Sequence, residues 1–146
     1  MGTPVVPDAW HRLATGRVAR LATVGGAAEP HLVPCCFALD GLVAYSIVDD
    51  KPKRTTWLRR LADVAERPVA TLLVDHYDED WRQLWWVRAG GPARIAEAAT
   101  EPPAHRRAAA LLLAKYPQYV GHGLEGPVLM VELVRWRSWS AGGRGA

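Results

Sequence analysis

The stretch RVARLATVGGAAEPHLVPCCFALDGLVAYSIV, residues 17–48, decides the fold. Arg17 to Val24 alternates with the period of a strand: Val18, Arg20, Ala22 and Val24 share one face, and Ala19, Leu21 and Thr23 the other. Gly25-Gly26 supplies a turn, after which Pro30 to Leu39 reads as a second strand, with Pro34 marking an edge or an interruption of the ladder. Asp40-Gly41 is the next turn signal, and Leu42 to Val48, containing Tyr45, is a third β-rich run. Three strands in succession, joined by turns too short for a crossover helix, predict an antiparallel meander.

The rest of the chain extends that pattern. An aspartate at Asp49-Asp50 can cap a helix, Pro52 suits its first turn, and Trp57, Leu58, Leu61, Ala62 and Ala65 recur at helical spacing until Pro68. Val69 to Val74 is a short apolar strand. The polar run Asp75 to Arg82 then leads into a longer strand, Leu84 to Ile95, which Gly90-Gly91-Pro92 interrupts as a bulge or bend. A second helix is predicted from Pro102 or Pro103 to about Lys115, closed by Pro117, and Val128 to Trp139 is the last strand. Six strands and two helices in this order lack alternating βαβ units. The fold class is therefore α+β, mainly β: an antiparallel barrel with helices outside. Residues 1–146 form a single domain, with 1–10 and 141–146 expected to be peripheral.

Composition limits the functions open to such a domain. Hydrophobic residues make up 49% and charged residues 23% of the 146, which supports a packed core and excludes a disordered tail. No apolar run approaches the ~20 residues of a membrane span, and Met1 to Trp10 lacks the pattern of a secretory signal, so a cytoplasmic protein without membrane association is expected. The net charge of +3 is too mild to demand nucleic acid. The aromatics do not interleave with basic residues in a recognisable RNA-binding motif, and Asp75 to Asp80 would repel a phosphate backbone.

Several motifs dissolve on inspection. Gly121, Gly123 and Gly126 match GxGxxG, but a helix precedes them and a strand follows, the reverse of the order a dinucleotide fold needs. Asp75, His76, Asp78, Glu79 and Asp80 have neither EF-hand nor HExxH spacing, so no metal site is expected. Cys35 and Cys36 are adjacent and, in a strand, point to opposite faces, without the CxxC spacing of a redox pair. No GxSxG elbow supports serine hydrolysis.

Two features remain. Lys51, Lys53 and Arg54 lie where a strand ends and a helix begins, a place where helix dipole and side-chain charge together favour a phosphate; a solvated basic helix start has the same sequence. The chain also has seven tryptophans, and the adjacent Trp85 and Trp86 must face opposite sides of a strand. One of them can enter the core while the other meets a flat aromatic ligand or a partner subunit.

Taken together, Arg17 to Val24, Pro30-His31-Leu32-Val33-Pro34, Lys51-Pro52-Lys53-Arg54, Leu73-Val74-Asp75-His76-Tyr77 and Trp85-Trp86-Val87-Arg88 resemble the pyridoxamine 5′-phosphate oxidase-like split β-barrel superfamily. Within it the chain is most similar to the deazaflavin (coenzyme F420)-dependent enzymes of actinobacteria. The resemblance implies an FMN-binding type of split barrel, a homodimer with cofactor sites at the subunit interface, and an oxidoreductase that transfers a hydride between F420 and a small organic acceptor. FMN is the alternative cofactor, and a non-catalytic flavin- or deazaflavin-binding protein the alternative function. It places the cofactor phosphate against Lys51, Lys53 and Arg54, and the backbone at Val33, Pro34, Tyr45 and Ser46 beside the ring. Trp85 of the other subunit, and Arg137 on the final strand, would complete the site. The chain departs from the flavin-binding oxidases in having no arginine between His31 and Cys36.

Overall fold

The computed structural model describes residues 6–47 and 54–142, with 54–58 described through their backbone. Strands β1 (Ala19–Val24) and β2 (Pro30–Cys35) form the expected hairpin, in register from Ala19 opposite Cys35 to Val24 opposite Pro30. The hairpin turn is held from outside by the end of helix α2 (Arg54–Glu66) and the residue that follows it. Arg67 donates to the carbonyls of Gly25 and Gly26, and the buried Asp63 carboxylate accepts from Thr23 Oγ1 at 2.8 Å. A Cβ on Gly25 would lie 2.5 Å from Asp63 Oδ1, so this close approach requires glycine.

The single strand expected over Pro30 to Leu39 is two strands, β2 and β3 (Ala38–Asp40). The break has a local cause. Phe37 is fully buried, and its backbone bonds to side chains of another element rather than to a neighbouring strand. The Phe37 N–H donates to the Tyr116 hydroxyl at 3.1 Å. That hydroxyl lies 3.0 Å from the carbonyls of both Phe37 and Arg17, and Lys115 Nζ donates to the Phe37 carbonyl at 2.9 Å. The chain therefore turns a corner and enters a second sheet, where β3 pairs with β4 (Val43–Ile47).

The remaining strands are β5 (Val69–His76), β6 (Trp85–Ala96), β7 (Val128–Glu132) and β8 (Arg135–Ser140). Among the described residues, eight strands replace the expected six. The predicted last strand, Val128 to Trp139, also breaks, because the Leu133 N–H donates to the Leu42 carbonyl and the Val134 N–H to the Gly90 carbonyl, which carries the chain from one sheet to the other. β6 belongs to both sheets: Trp85 to Gly90 pair with β8, and Ala93 to Ala96 pair with β7. The change of partner falls on Gly90-Gly91-Pro92, the point at which a bend was expected. The first sheet runs β2-β1-β5-β6-β8 and the second β6-β7-β4-β3.

Among the described residues, three α-helices pack on this split barrel, one more than expected. α1 (Pro7–Thr15) occupies a stretch that includes part of the supposedly peripheral N-terminus; it buries Ala9 and Leu13 in the main core, and Trp10 Nε1 donates to the Gly41 carbonyl at 2.8 Å. Pro7 at its first turn and the spacing of Ala9, Trp10 and Leu13 are the signals that mark it. The main core gathers the inner faces of both sheets, among them Leu21, Leu72, Val87, Leu129 and Val131, together with Val64 of α2. α3 (Pro102–Lys115) covers the outer face of the second sheet, where Ala108, Leu112 and the following Tyr116 pack on Ala38, Tyr45, Ile47 and Val128. No helix among the described residues is long and apolar enough to cross a membrane.

The corner at Phe37 carries a pH signature. Lys115 Nζ sits 3.8 Å from the centre of the Phe37 ring, and burial, reinforced by the Arg17 guanidinium, pushes its pKa down to about 8. Above about pH 8 the native amine is neutral while the unfolded one, with its ordinary pKa of 10.5, still holds its proton. Stability then rises with pH across that window. A denaturant midpoint measured from pH 8 to 10 should rise in the wild type and stay flatter in Lys115→Met; parallel profiles would remove Lys115 as the source.

Candidate functional site

Each sheet has an inner face in the core, and α3 covers the outer face of the second. The outer face of the first sheet has no helix over it among the described residues. Strand register lays its side chains out in rows. Pro34, Arg20, Leu73, Arg88 and Arg137 form one row across β2-β1-β5-β6-β8. Leu32, Ala22, Thr71, Gly90 and Arg135 form the next, and Asp75, Trp86 and Trp139 the row on the other side. Leu32 is 68% and Trp139 42% exposed, a substantial apolar presence for an uncovered sheet.

The four arginines of this face, Arg20, Arg88, Arg135 and Arg137, make no ion pair with any described residue. By contrast Arg82, Arg94 and Arg107, elsewhere on the surface, pair with Asp80, Glu101 and Asp40. Arg88 instead lies over Trp86, its guanidinium carbon 5.4 Å from the ring centre. Arg88, Arg135 and Arg137 line a cavity of about 230 Å³ with Thr71, Gly90 and Trp136. Gly90 keeps that floor open, because a Cβ there would sit 2.6 Å from Thr71 Oγ1. The face thus combines an indole platform with adjacent cations that no described carboxylate pairs, an arrangement that accepts a flat ring carrying an anionic tail.

The residues expected to form the site are distributed over three surfaces. Lys51 and Lys53 lie outside the described residues. Arg54 begins α2, six residues of chain after β4 ends at Ile47, and its side chain also lies outside the description. Pro34 and Arg137 are exposed in the same row of the open face. Val33 and Ser46 face inward: Val33 packs on the main core, and Ser46 is buried and hydrogen-bonded to the Cys35 thiol, which burial pushes up to about 11. Tyr45 points the opposite way, beneath α3, where burial and, after it, the Asp40 carboxylate hold its phenol above the ordinary range.

The two adjacent tryptophans divide as alternation requires. Trp85 stacks on His76, with ring centres 6.0 Å apart, and receives Arg12 of α1 at 4.9 Å. Trp86 is the one that reaches the open face. Arg20, Arg88 and Arg135 are absent from the sequence-derived set, although period-two spacing already puts Arg135 and Arg137 on one side of their strand. What brings Arg88 opposite Arg137 is register, which no local pattern specifies.

Two other places were candidates for chemistry. A cavity of about 350 Å³ beside α3 is lined by Val43, Pro92, Ala93, Arg94, Met130 and Glu132, but Arg94 is already engaged by Glu101. No group of three or more His, Cys, Asp or Glu converges on a metal-sized site among the described residues.

No family model matches the sequence, and no curated protein matches it. Solved structures do match. A conserved hypothetical protein from Mycobacterium tuberculosis superposes with a TM-score of 0.70 at 21% identity, covering 99% of this chain and 92% of its own. The haem storage protein HutZ of Vibrio cholerae gives 0.67 at 11% identity, over 94% and 95% of the two chains. A Listeria innocua protein provisionally named a pyridoxamine 5′-phosphate oxidase gives 0.59 at 16%, over 91% and 94%. At such identities the likeness speaks for architecture alone, and the architecture is an α+β split barrel like that of these proteins, with eight antiparallel strands and three α-helices among the described residues.

Proposed function

We propose that the protein is an F420-dependent oxidoreductase, working as a homodimer, that moves a hydride between the deazaflavin and a small organic acceptor. The observation that carries this reading is the open face of the first sheet, where Trp86 and Trp139 stand beside arginines that pair with no described carboxylate. A flat ring needs an apolar platform and its anionic tail needs cations, and both are present within neighbouring rows. Bound deazaflavin would supply the hydride. The chain's own work is to orient the ring against the indoles, to hold its phosphate near the Lys51–Arg54 junction, and to exclude water through apposition of a second copy. Exposed Leu32, Val18 and Trp139 are suited to that apposition. Tyr45 lies under α3 on the other sheet, so in this reading the acceptor's proton comes from solvent.

FMN is the second cofactor that fits the same description, and HutZ, which shares the fold, is named for haem storage. A tryptophan-quenching titration with F420, FMN and haemin, run in parallel on Lys53→Ala/Arg54→Ala, separates the three. Preferential F420 quenching that the double variant loses is the expected result. Preferential FMN binding would move the protein to the flavin branch, and a saturable shift of the haemin Soret band with no binding of F420 or FMN would replace the enzyme reading with tetrapyrrole binding. Light scattering that gives the mass of a monomer at micromolar concentration would remove the shared site.

A further inference from the structure

Arg88 of β6 and Arg137 of β8 are directly opposite each other, and Arg135 stands two residues along β8 on the same face, opposite Gly90. Like charges facing each other across an antiparallel ladder destabilise it, and a sheet normally offsets them with a cross-strand carboxylate. Here none does. Asp75 shares the face but sits opposite Trp86 and pairs with none of the three, while Glu29, Asp40, Asp80 and Glu101 are engaged by other arginines. The three arginines line the 230 Å³ cavity together with Thr71, Gly90 and Trp136, the last of which turns its side chain into the core opposite Ala89. A fourth arginine, Arg20, stands in the same row as Arg88, two strands away across Leu73, or about 9.5 Å at the usual strand spacing.

We propose that this cavity is a binding site for a compact polyanion, a ligand group carrying two or more adjacent phosphates or carboxylates. At about 230 Å³ the space is far larger than a single water needs and admits a diphosphate or a tricarboxylate. A guanidinium fork can take two oxygens, and three arginines line this one volume, more than a single monoanion can satisfy. The Thr71 hydroxyl adds a neutral donor. Such a group has two sources, the anionic end of the coenzyme or an acidic acceptor, and the site rests on the reading that the open face of the first sheet is the one that takes ligands.

The test uses the full chain without coenzyme and two probes, pyrophosphate and tricarballylate, followed by calorimetric titration and by thermal unfolding. Both probes should bind the wild type and raise its unfolding temperature, and orthophosphate should do so far more weakly. Arg88→Gln, Arg135→Gln and Arg137→Gln should each weaken binding about tenfold or more, as expected for loss of a charge-assisted pair. Arg106→Gln, on the exposed side of α3, should leave it unchanged. The distinguishing readout is stability without ligand: Arg137→Gln should melt higher than wild type because a repulsion is relieved, whereas an arginine with a merely structural role would melt lower on removal. No binding by the wild type at millimolar pyrophosphate, or equal binding by all variants, overturns the site. Competition between pyrophosphate and the coenzyme assigns the site to the coenzyme's tail, and simultaneous binding assigns it to the acceptor. Because the probes are read without coenzyme, failure here leaves the F420 titration standing, and failure of that titration leaves this site standing.

Discussion

Gly91→Val should remove the folded state. A Cβ at this position would lie 2.1 Å from the Glu132 carbonyl oxygen and 2.7 Å from Val134 Cγ2. The first of these is backbone, and it belongs to the corner where the chain leaves β7 for β8. That corner is pinned in turn by the bond from the Val134 N–H to the Gly90 carbonyl at 3.0 Å. Relief of the clash would have to separate the two strands at the very residues where β6 exchanges one partner for the other. Overpacking of a close-packed site costs about 1–3 kcal/mol where side chains can give, and more where only backbone can move. We therefore expect Gly91→Ala to lose roughly 3 kcal/mol, a large part of the ~5–15 kcal/mol of an ordinary domain, and valine to exceed what is left. Gly41→Ala is the control. Gly41 has a positive φ of 58° but nothing within 4 Å of its Cβ position, so only the backbone penalty of about 1–2 kcal/mol applies. Urea unfolding followed by circular dichroism ranks the three, and a Gly91→Ala midpoint equal to that of wild type would show that the crossing is looser than described.

Phe37→Ala is the second large effect, with an expected loss of about 3–5 kcal/mol. The ring is fully buried in the main core, at the point where β2 ends and the chain crosses to β3. It also forms the seat for the Lys115 ammonium. Removing it opens a cavity that cannot collapse, because both backbone polar groups of the residue are tied to the Tyr116 hydroxyl and Lys115. Tyr116→Phe isolates that tether. It leaves the ring in place but strips a partner from a buried N–H, for about 1–3 kcal/mol. The two changes share one corner, so the double variant should lose less than the sum of the singles. Strict additivity, or a Phe37→Ala loss of under about 1 kcal/mol, would mean that the corner is held by something other than these contacts.

The candidate site was partly visible in the residues. Alternation in Arg17 to Val24 already assigns Arg20 to the face opposite Leu21, and adjacency already requires that only one of Trp85 and Trp86 reach any given surface. It does not say which. Trp85 is retained by His76 and Arg12, and Arg12 belongs to a helix whose signals, Pro7 and the spacing of Ala9 and Leu13, lie in a stretch that looks peripheral when judged by position alone. Val33, Tyr45 and Ser46 are strand residues as expected, but adjacent strand positions face opposite ways, so Ser46 points into the barrel and Tyr45 beneath α3.

What the sequence by itself determined is the kind of each element and the places where direction changes: the hairpin at Gly25-Gly26, the helix ending before Pro68, the bend at Gly90-Gly91-Pro92, and the basic run ahead of α2. These follow from local physics, since side-chain period, proline and glycine act on their own backbone. Tertiary structure alone decided that β6 serves two sheets, that the strands through Phe37 and Leu133 break, and that Arg88, Arg135 and Arg137 meet around one cavity. Those outcomes depend on which distant strand or side chain accepts a given N–H, on register, and on which helix covers which face. Alternation assigns a residue to a side of its strand; only the partner strand determines what it will face there.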